Sequence, residues 1–408
     1  MSSANTDTKH LVDAGQQVYI PNYAPKHIVL DRGQGARMWD LDGNEYIDLS
    51  TGIAVNSFGH QHPELVAAFM EQGQKLWHAS NIYYVEPAVR LAEELVEATF
   101  ADRVFFCNSG SEANEAAIKL VRKYSSMHYP EDKREIISFE GSFHGRTLAA
   151  VTATAQPKYH EGFEPLPGGF DYCAFNDPDA IAAKISDKTC AVLVEAVQGE
   201  GGITPAQQGF LKHLRSLCDK HNALLVFDEI QCGMGRTGKL FGFEWEDVTP
   251  DVVTMAKALG GGLPIGALLV AGKVAEALPM GSHGSTFGGN PVAASVARVA
   301  LRLARSPQTM ANVEKQGDRF RAALHRINED LGIFKDIRGR GLMIGAELVD
   351  AHAGKAGELL DVCTEHGLLT LVAGPDVLRL LPPLTITDDE TAAAIEKLEA
   401  ACRQWAAA

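Results

Sequence analysis

The chain has 408 residues, 46% hydrophobic and 22% charged, with a formal net charge of −15. That length exceeds one simple core and calls for two or three packed units. The acidic balance excludes nucleic acid and anionic membrane as main partners, because both demand a basic face. Seven cysteines, at 107, 173, 190, 218, 232, 363 and 402, are scattered, odd in number and never in a C-x-x-C pair. Such usage fits reduced thiols in a cytoplasmic enzyme, not a disulfide framework or a zinc site, and no metal is expected.

From the N-terminus, residues 1–7 are polar and lack the apolar core of a leader peptide. No run anywhere approaches the ~18 uninterrupted apolar residues of a membrane span. Residues 19–60 hold short, turn-rich strand patterns at 36–39 and 46–49, around Asp42-Gly-Asn44. Between about residues 103 and 271, apolar runs alternate with helical patterns. Runs 104–107, 135–139, 149–152, 190–195, 224–227, 252–255 and 267–270 read as buried strands, with helices over 111–126 and 208–221. Strands alternating with helices predict a mainly parallel, seven-stranded sheet covered on both faces, hence an α/β fold. Residues 291–330 read as helical, and 337–408 mix strand pieces at 342–347 and 377–381 with a closing helix from about Asp388. Both chain ends together would build a smaller α+β domain. The expected division is an N-terminal segment over 1–60, a large domain over 61–300 and a C-terminal part over 301–408.

Ligands of such sheets sit beyond the carboxyl ends of the strands, so residues that end the apolar runs are the leading site candidates. Cys107-Asn-Ser-Gly110-Ser111 leaves a strand and enters a helix, where small residues and free N–H groups suit an anion. Ser111 could equally cap that helix. In Ser142-Phe143-His144-Gly-Arg146, Phe143 can stack on a planar ring and Arg146 can hold a carboxylate, unless it makes only a surface ion pair. His144 reads as a packed or hydrogen-bonded histidine. Asp228 ends the 224–228 run, where an acid is costly to ionise without a partner, or else caps the next turn. Gly233-Met-Gly235-Arg-Thr-Gly238 matches G-x-G-x-x-G but lies between no strand and helix, so it reads as an irregular loop and no nicotinamide dinucleotide is expected.

Lys257 closes Asp251-Val-Val-Thr-Met-Ala-Lys257 and opens onto Gly260, Gly261 and Gly262. In a poorly solvated pocket its amine would be a usable nucleophile. A surface lysine or a phosphate clamp is the alternative. Thr286, in Gly281-Ser-His-Gly-Ser285-Thr286, offers a hydroxyl to a second phosphate contact or occupies a turn. An amine and an acid at neighbouring strand ends are what pyridoxal phosphate needs, for its carbonyl and its pyridinium nitrogen.

Together these segments resemble the class III, ω-type aminotransferases of the fold-type I pyridoxal-phosphate enzymes, closest to the acetylornithine/succinylornithine aminotransferase family. The resemblance runs from about Pro21 to Ala401. It is carried by Gly52-Ile-Ala-Val-Asn56, Gly59-His-Gln-His-Pro63, Phe106-Cys-Asn-Ser-Gly110, Phe143-His-Gly-Arg146-Thr147, Gln198-Gly-Glu-Gly-Gly202, Asp228-Glu-Ile-Gln231, Ala256-Lys257-Ala-Leu-Gly-Gly-Gly262 and Phe287-Gly-Gly-Asn-Pro291. The resemblance implies that Lys257 binds pyridoxal 5′-phosphate covalently and shuttles a proton, and that Asp228 pairs with the pyridinium nitrogen. It further implies Gln231 on the ring hydroxyl, Phe143 on the ring face, and Gly110 and Ser111 on the phosphate, helped by Thr286 from the other subunit of a homodimer. Arg146 would hold the substrate α-carboxylate with Ser285 nearby, and Glu200 with Arg379 would form a gating pair. Ala196, Cys232, Ser111 and Ser285 depart from the family pattern without removing a catalytic group. Gly52 stands near the point where ornithine δ-aminotransferases carry a tyrosine that grips a free α-amine, which favours an N-acylated substrate.

The implied reaction transfers the terminal amine of N2-acetyl-L-ornithine, or N2-succinylornithine, to 2-oxoglutarate in arginine metabolism, giving the semialdehyde and L-glutamate. A 4-aminobutyrate or ornithine δ-aminotransferase is the enzymatic alternative. A catalytically inactive binding protein of the same fold is the other, and the presence of Lys257, Asp228 and Arg146 together speaks against it.

Overall fold

A computed structural model of the chain describes residues 8–408; the polar stretch 1–7 lies outside them. After a helix over Thr8–Val18 come three short strands, β1 (Leu30–Gln34), β2 (Arg37–Asp40) and β3 (Glu45–Asp48), paired antiparallel in that order. The central part contributes β4 (Arg103–Cys107), β5 (Glu135–Phe139), β6 (Phe170–Cys173) and β7 (Thr189–Val194). A small hairpin of β8 (Val197–Gln198) and β9 (Thr204–Pro205) follows, then β10 (Leu224–Asp228), β11 (Val252–Met255) and β12 (Gly266–Val270). The C-terminal part holds β13 (Phe334–Arg340), β14 (Met343–Leu348), β15 (Leu368–Leu369), β16 (Leu371–Ala373) and β17 (Val377–Leu380), and ends in a helix over Asp388–Ala406.

The large sheet has seven strands in the order β4-β12-β11-β10-β7-β5-β6. Only β12 runs against its neighbours; the pairs among β6, β5, β7, β10 and β11 are parallel. Every residue of β7, β10, β11 and β12 is buried. Continuous runs such as Leu-Leu-Val-Phe therefore form strands covered on both faces, with no polar alternation. One cover is the helix Gly110–His128, which turns Ala113, Ala116, Ala117, Leu120 and Val121 inward at helical spacing.

The strand count matches the sequence reading, but one member differs. Residues 149–152, expected as a strand, lie in the helix Leu148–Ala153, and β6 takes the place at the sheet edge. The cause is a contact distant in sequence. Glu115 accepts the Ala149 and Ala150 N–H groups at 3.0 and 3.2 Å and so caps this helix from a neighbouring one.

The two ends of the chain interlock. β15 pairs parallel with β3, Leu368 opposite Ile47 and Leu369 opposite Asp48, while Thr51 Oγ1 donates to the Leu381 carbonyl at 2.8 Å. β13, β14, β17 and β16 form a separate antiparallel sheet. Buried Arg236 joins the loop after β10 to both ends, donating to the Leu342 carbonyl at 3.1 Å, to Ser57 Oγ at 2.8 Å and to the Pro382 carbonyl. The Gly233–Gly238 pattern thus serves an irregular loop wrapped around a buried arginine. All seven cysteines are buried free thiols. Among the described residues no helix is long and apolar enough to cross a membrane.

Asp251, 4% exposed, fastens the end of the sheet remote from the site. It accepts the Leu225 N–H at 2.9 Å and pairs with Arg215 and Lys273, each at 2.8 Å. Burial alone would raise its carboxyl, but Arg215, the Leu225 amide and Lys273 outweigh it and hold the group below its usual range. A carboxyl depressed in the folded state adds stability above its unfolded pKa and loses it as pH falls through the folded one. Asp251→Asn is therefore expected to lower stability at neutral pH by about 3 kcal/mol in denaturant titration, with a smaller loss at acidic pH.

Candidate active site

Parallel strands that point the same way bring their carboxyl ends to one rim, and the loops leaving β4, β5, β7, β10 and β11 meet there. Asp228 closes β10 level with Thr254 of β11, so Lys257, three residues further on, rises beside it. Asp228 is 3% exposed, and an isolated carboxylate there would be prohibitively costly. Three donors offset that cost. Asn114 Nδ2 and His144 Nδ1 both lie 2.8 Å from Oδ2, and the Ile230 N–H donates to Oδ1 at 3.0 Å.

These partners are themselves held. Asn114, on the helix behind the sheet, also donates to the His144 carbonyl at 2.7 Å and accepts from Thr254 Oγ1 at 2.9 Å. With Asp228 ionised, its oxygens only accept, so the His144 proton belongs on Nδ1. Asp228 is thus aimed by groups from a helix, a loop and a neighbouring strand.

Lys257 faces a cavity of about 410 Å³ whose lining includes Val55, Ser111, Phe143, Asp228 and Gln231. Burial lowers its pKa, with Glu200 and Asp228 pulling the other way and Arg379 adding to the fall. Its φ is +44°, a left-handed conformation costly for a side chain of this size and typical of functional positions. Glu195, at the end of β7, also lines the cavity. Burial pushes its carboxyl up to about 7, opposed by His144.

The β4 loop places a helix N-terminus at the cavity, which could hold an anion. Ser109, not Ser111, is the N-cap, its Oγ accepting the Glu112 N–H at 3.2 Å. The N–H groups of Gly110 and Ser111 open the helix and have no partner within it. Ser111 Oγ accepts the Arg146 N–H at 3.1 Å, which locks this helix N-terminus to the β5 loop. Gly145, at φ +137°, passes so close to Ser111 that a Cβ would collide with its hydroxyl.

Phe143 lines the cavity, whereas Arg146 is exposed and stacks over the Tyr159 ring at 3.9 Å. Arg379, 3% exposed, donates from Nη1 to Glu200 Oε1 at 2.6 Å and to Gln231 Oε1 at 3.3 Å. Its Nε is buried without a hydrogen-bond partner. Ser285 Oγ accepts from Asn108 Nδ2 at 3.0 Å, while Thr286 is exposed and does not line its own chain's cavity. Gly52 lies exposed in a turn where Thr51, Gly52, Ile53 and Ala54 all have positive φ; that turn presents Val55 to the cavity.

Sequence reasoning did not assign Asn114, Glu195 or Tyr159. His144 is hydrogen-bonded as expected, but its partner being Asp228 was not legible. Glu195 ends an apolar run as Asp228 does, so the same strand-end rule could have singled it out. Asn114 lies mid-helix with no such signal.

An amine of lowered pKa, a carboxyl group met by three hydrogen-bond partners, an aromatic wall and a helix N-terminus share one cavity. His144 Nε2 is buried and unpartnered, marking a site built for polar contents. This donor set fits a phosphorylated pyridine aldehyde.

Comparison with known proteins agrees. The family described as Aminotransferase class-III matches residues 18–402. A protein of Xanthomonas campestris pv. campestris named acetylornithine aminotransferase is 60% identical over 392 residues, covering 95% of this chain and 96% of that one. A Pseudomonas aeruginosa protein named succinylornithine transaminase/acetylornithine aminotransferase is 51% identical over 382 residues, covering 94% of each. The crystal structure of N-acetylornithine aminotransferase from Stenotrophomonas maltophilia superposes with a TM-score of 0.86 at 51% identity, covering 97% of this chain and 99% of that one. Class III aminotransferases depend on pyridoxal phosphate as a family.

The lowered pKa of Lys257 is testable without turnover. Site-resolved acylation of cofactor-free protein across pH is expected to give Lys257 a midpoint below the ordinary 10.5. Exposed Lys75, raised by its hydrogen bond to Glu71, is expected to titrate later. A Lys257 midpoint equal to or above that of Lys75 would contradict the buried-amine assignment.

Proposed function

The chain belongs to the class III aminotransferases, and from that membership we propose that it moves the terminal amine of an N-acylated ornithine, acetyl or succinyl, to 2-oxoglutarate. The products are the semialdehyde and L-glutamate. The observation that carries this reading is the meeting of Lys257 and Asp228 in one cavity with the Glu200–Arg379 pair beside them. The relatives' names support the acylated substrate, as does the lack of any side chain at Gly52.

Pyridoxal 5′-phosphate, when bound, supplies the electron sink for the substrate carbon that loses a proton. Lys257 would hold it through Nζ, and the same Nζ would take that proton and return it, a task that burial favours by lowering the pKa of the amine. Asp228 would hold the ring nitrogen, aligned by Asn114 and His144. Phe143 covers the ring face and Gln231 meets the ring hydroxyl. Gly110 and Ser111 hold the phosphate through the helix N-terminus.

Arg146 takes the α-carboxylate of the acylornithine, with Ser285 close by. While that donor is bound, Glu200 neutralises Arg379, whose buried charge would otherwise oppose an aliphatic arm. When glutamate replaces it, Glu200 releases Arg379 to hold a carboxylate of the new substrate. One buried cation thereby serves two unlike amines.

The reading includes a homodimer with shared active sites. Thr286 is exposed, and beside it Trp77, Ile82, Tyr83, Tyr84 and Phe287 are exposed as well. Asn81 Nδ2 ties that segment to the Thr286 loop by donating to the Ser285 carbonyl at 2.8 Å. Apolar surface of this kind calls for cover, and a second copy would bring Thr286 to the neighbouring phosphate.

With 2-oxoglutarate as acceptor, kcat/KM for N-acetylornithine or N-succinylornithine is expected to exceed that for 4-aminobutyrate by about a hundredfold or more. A preference for 4-aminobutyrate would refute the substrate assignment. Lys257→Ala is expected to keep its fold by circular dichroism while kcat falls by more than about a thousandfold.

A further inference from the structure

Glu195 is a buried carboxylate to which the reaction above gives no task. It is 5% exposed, and both of its oxygens are committed to backbone. Oε2 accepts the Phe143 N–H at 3.1 Å, and Oε1 accepts the Gly199 N–H at 3.3 Å. The two amides belong to different loops. Phe143 stands in the loop after β5, whereas Gly199 immediately precedes Glu200, whose carboxylate meets Arg379.

Little slack exists along this seam. A Cβ on Gly199 would collide with the Gln231 amide, and Gln198 Nε2 donates to the Glu140 carbonyl at 3.0 Å across the same junction. An uncharged side chain of equal size could fill the space. Holding two amides at once is a narrower demand, because it needs acceptors on both terminal atoms. A carboxylate offers them and a glutamine does not.

We propose that Glu195 is a positioning residue that ties the Phe143 loop to the Glu200 turn and so sets how firmly Glu200 neutralises Arg379. The inference rests on the transamination reading above. With the acylated donor bound, a loosened Glu200 leaves the buried Arg379 charge uncompensated. With glutamate bound, Arg379 holds a carboxylate of the substrate itself, and the position of Glu200 matters less. Loss of the tie therefore harms one half-reaction more than the other.

The test compares loaded wild-type enzyme, Glu195→Gln, Glu200→Gln and the double variant in single-turnover half-reactions with each amine, followed by cofactor absorbance. Amide hydrogen exchange is measured on the cofactor-free proteins. In Glu195→Gln the apparent second-order constant for the acylated donor is expected to fall about tenfold, with that for glutamate within about threefold of wild type. In the Glu200→Gln background the same change is expected to add less than about twofold, as for two residues acting through one contact. Peptides covering 141–147 and 197–203 are expected to exchange faster in Glu195→Gln.

Equal losses with both amines, independent losses in the double variant, or unchanged exchange at both loops would each overturn the proposal. Where Glu195→Gln does not accumulate as folded protein, Glu195→Asp replaces it. One methylene shorter, it keeps the carboxyl group but draws it back from the two amides, and the same asymmetric loss is expected. A wild-type protein that transfers no amine from either donor defeats the transamination reading instead, and the exchange result then decides the tie between the loops.

Discussion

A buried carboxyl group, Asp228, must be satisfied by hydrogen bonds and correctly aimed into the cavity, and much of the molecule is arranged around that demand. A strand end alone does not meet it. The carboxylate is stable there because donors from a helix, a loop and the backbone converge on it, two of them at 2.8 Å. Their own hydrogen bonds reach Thr254 of the adjacent strand and the His144 carbonyl. Removing one member leaves another buried polar group unpaired, so the network behaves as a unit.

The same constraint explains the charge distribution around Lys257. Burial draws the amine toward its neutral form, and the carboxylates of Glu200, Asp228 and Glu195 limit how far it goes. Arg379, almost fully buried, is tolerated because Glu200 pairs with it at 2.6 Å. A buried cation with a movable partner can accept either an aliphatic arm or a carboxylate, whereas a permanently bound one could accept only the first.

Legibility in the sequence followed the range of the interactions. β10 and β11 were readable because their residues face apolar surroundings on both sides and need no polar alternation. Lys257 and Asp228 were readable because strand ends of a parallel sheet open onto its ligand site. The segment 149–152 was misread as a strand because β-branched Val151 and Thr152 offset the helix preference of Ala149 and Ala150, and its helix is capped by Glu115 from another element. Asn114 was silent for the same reason, since its partners lie 30, 114 and 140 residues away.

The amino-acid sequence by itself determined the alternating α/β order, the strand-end places of Lys257 and Asp228, and the small-residue entry to the helix Gly110–His128. These are local properties of chain periodicity and of residue types that tolerate special geometry. Only the tertiary structure decided which groups hydrogen-bond Asp228, that Ser109 and not Ser111 caps the helix, and that Glu200 meets Arg379 at 2.6 Å. Those outcomes depend on distances between elements brought together by packing, and such distances are set by the whole core.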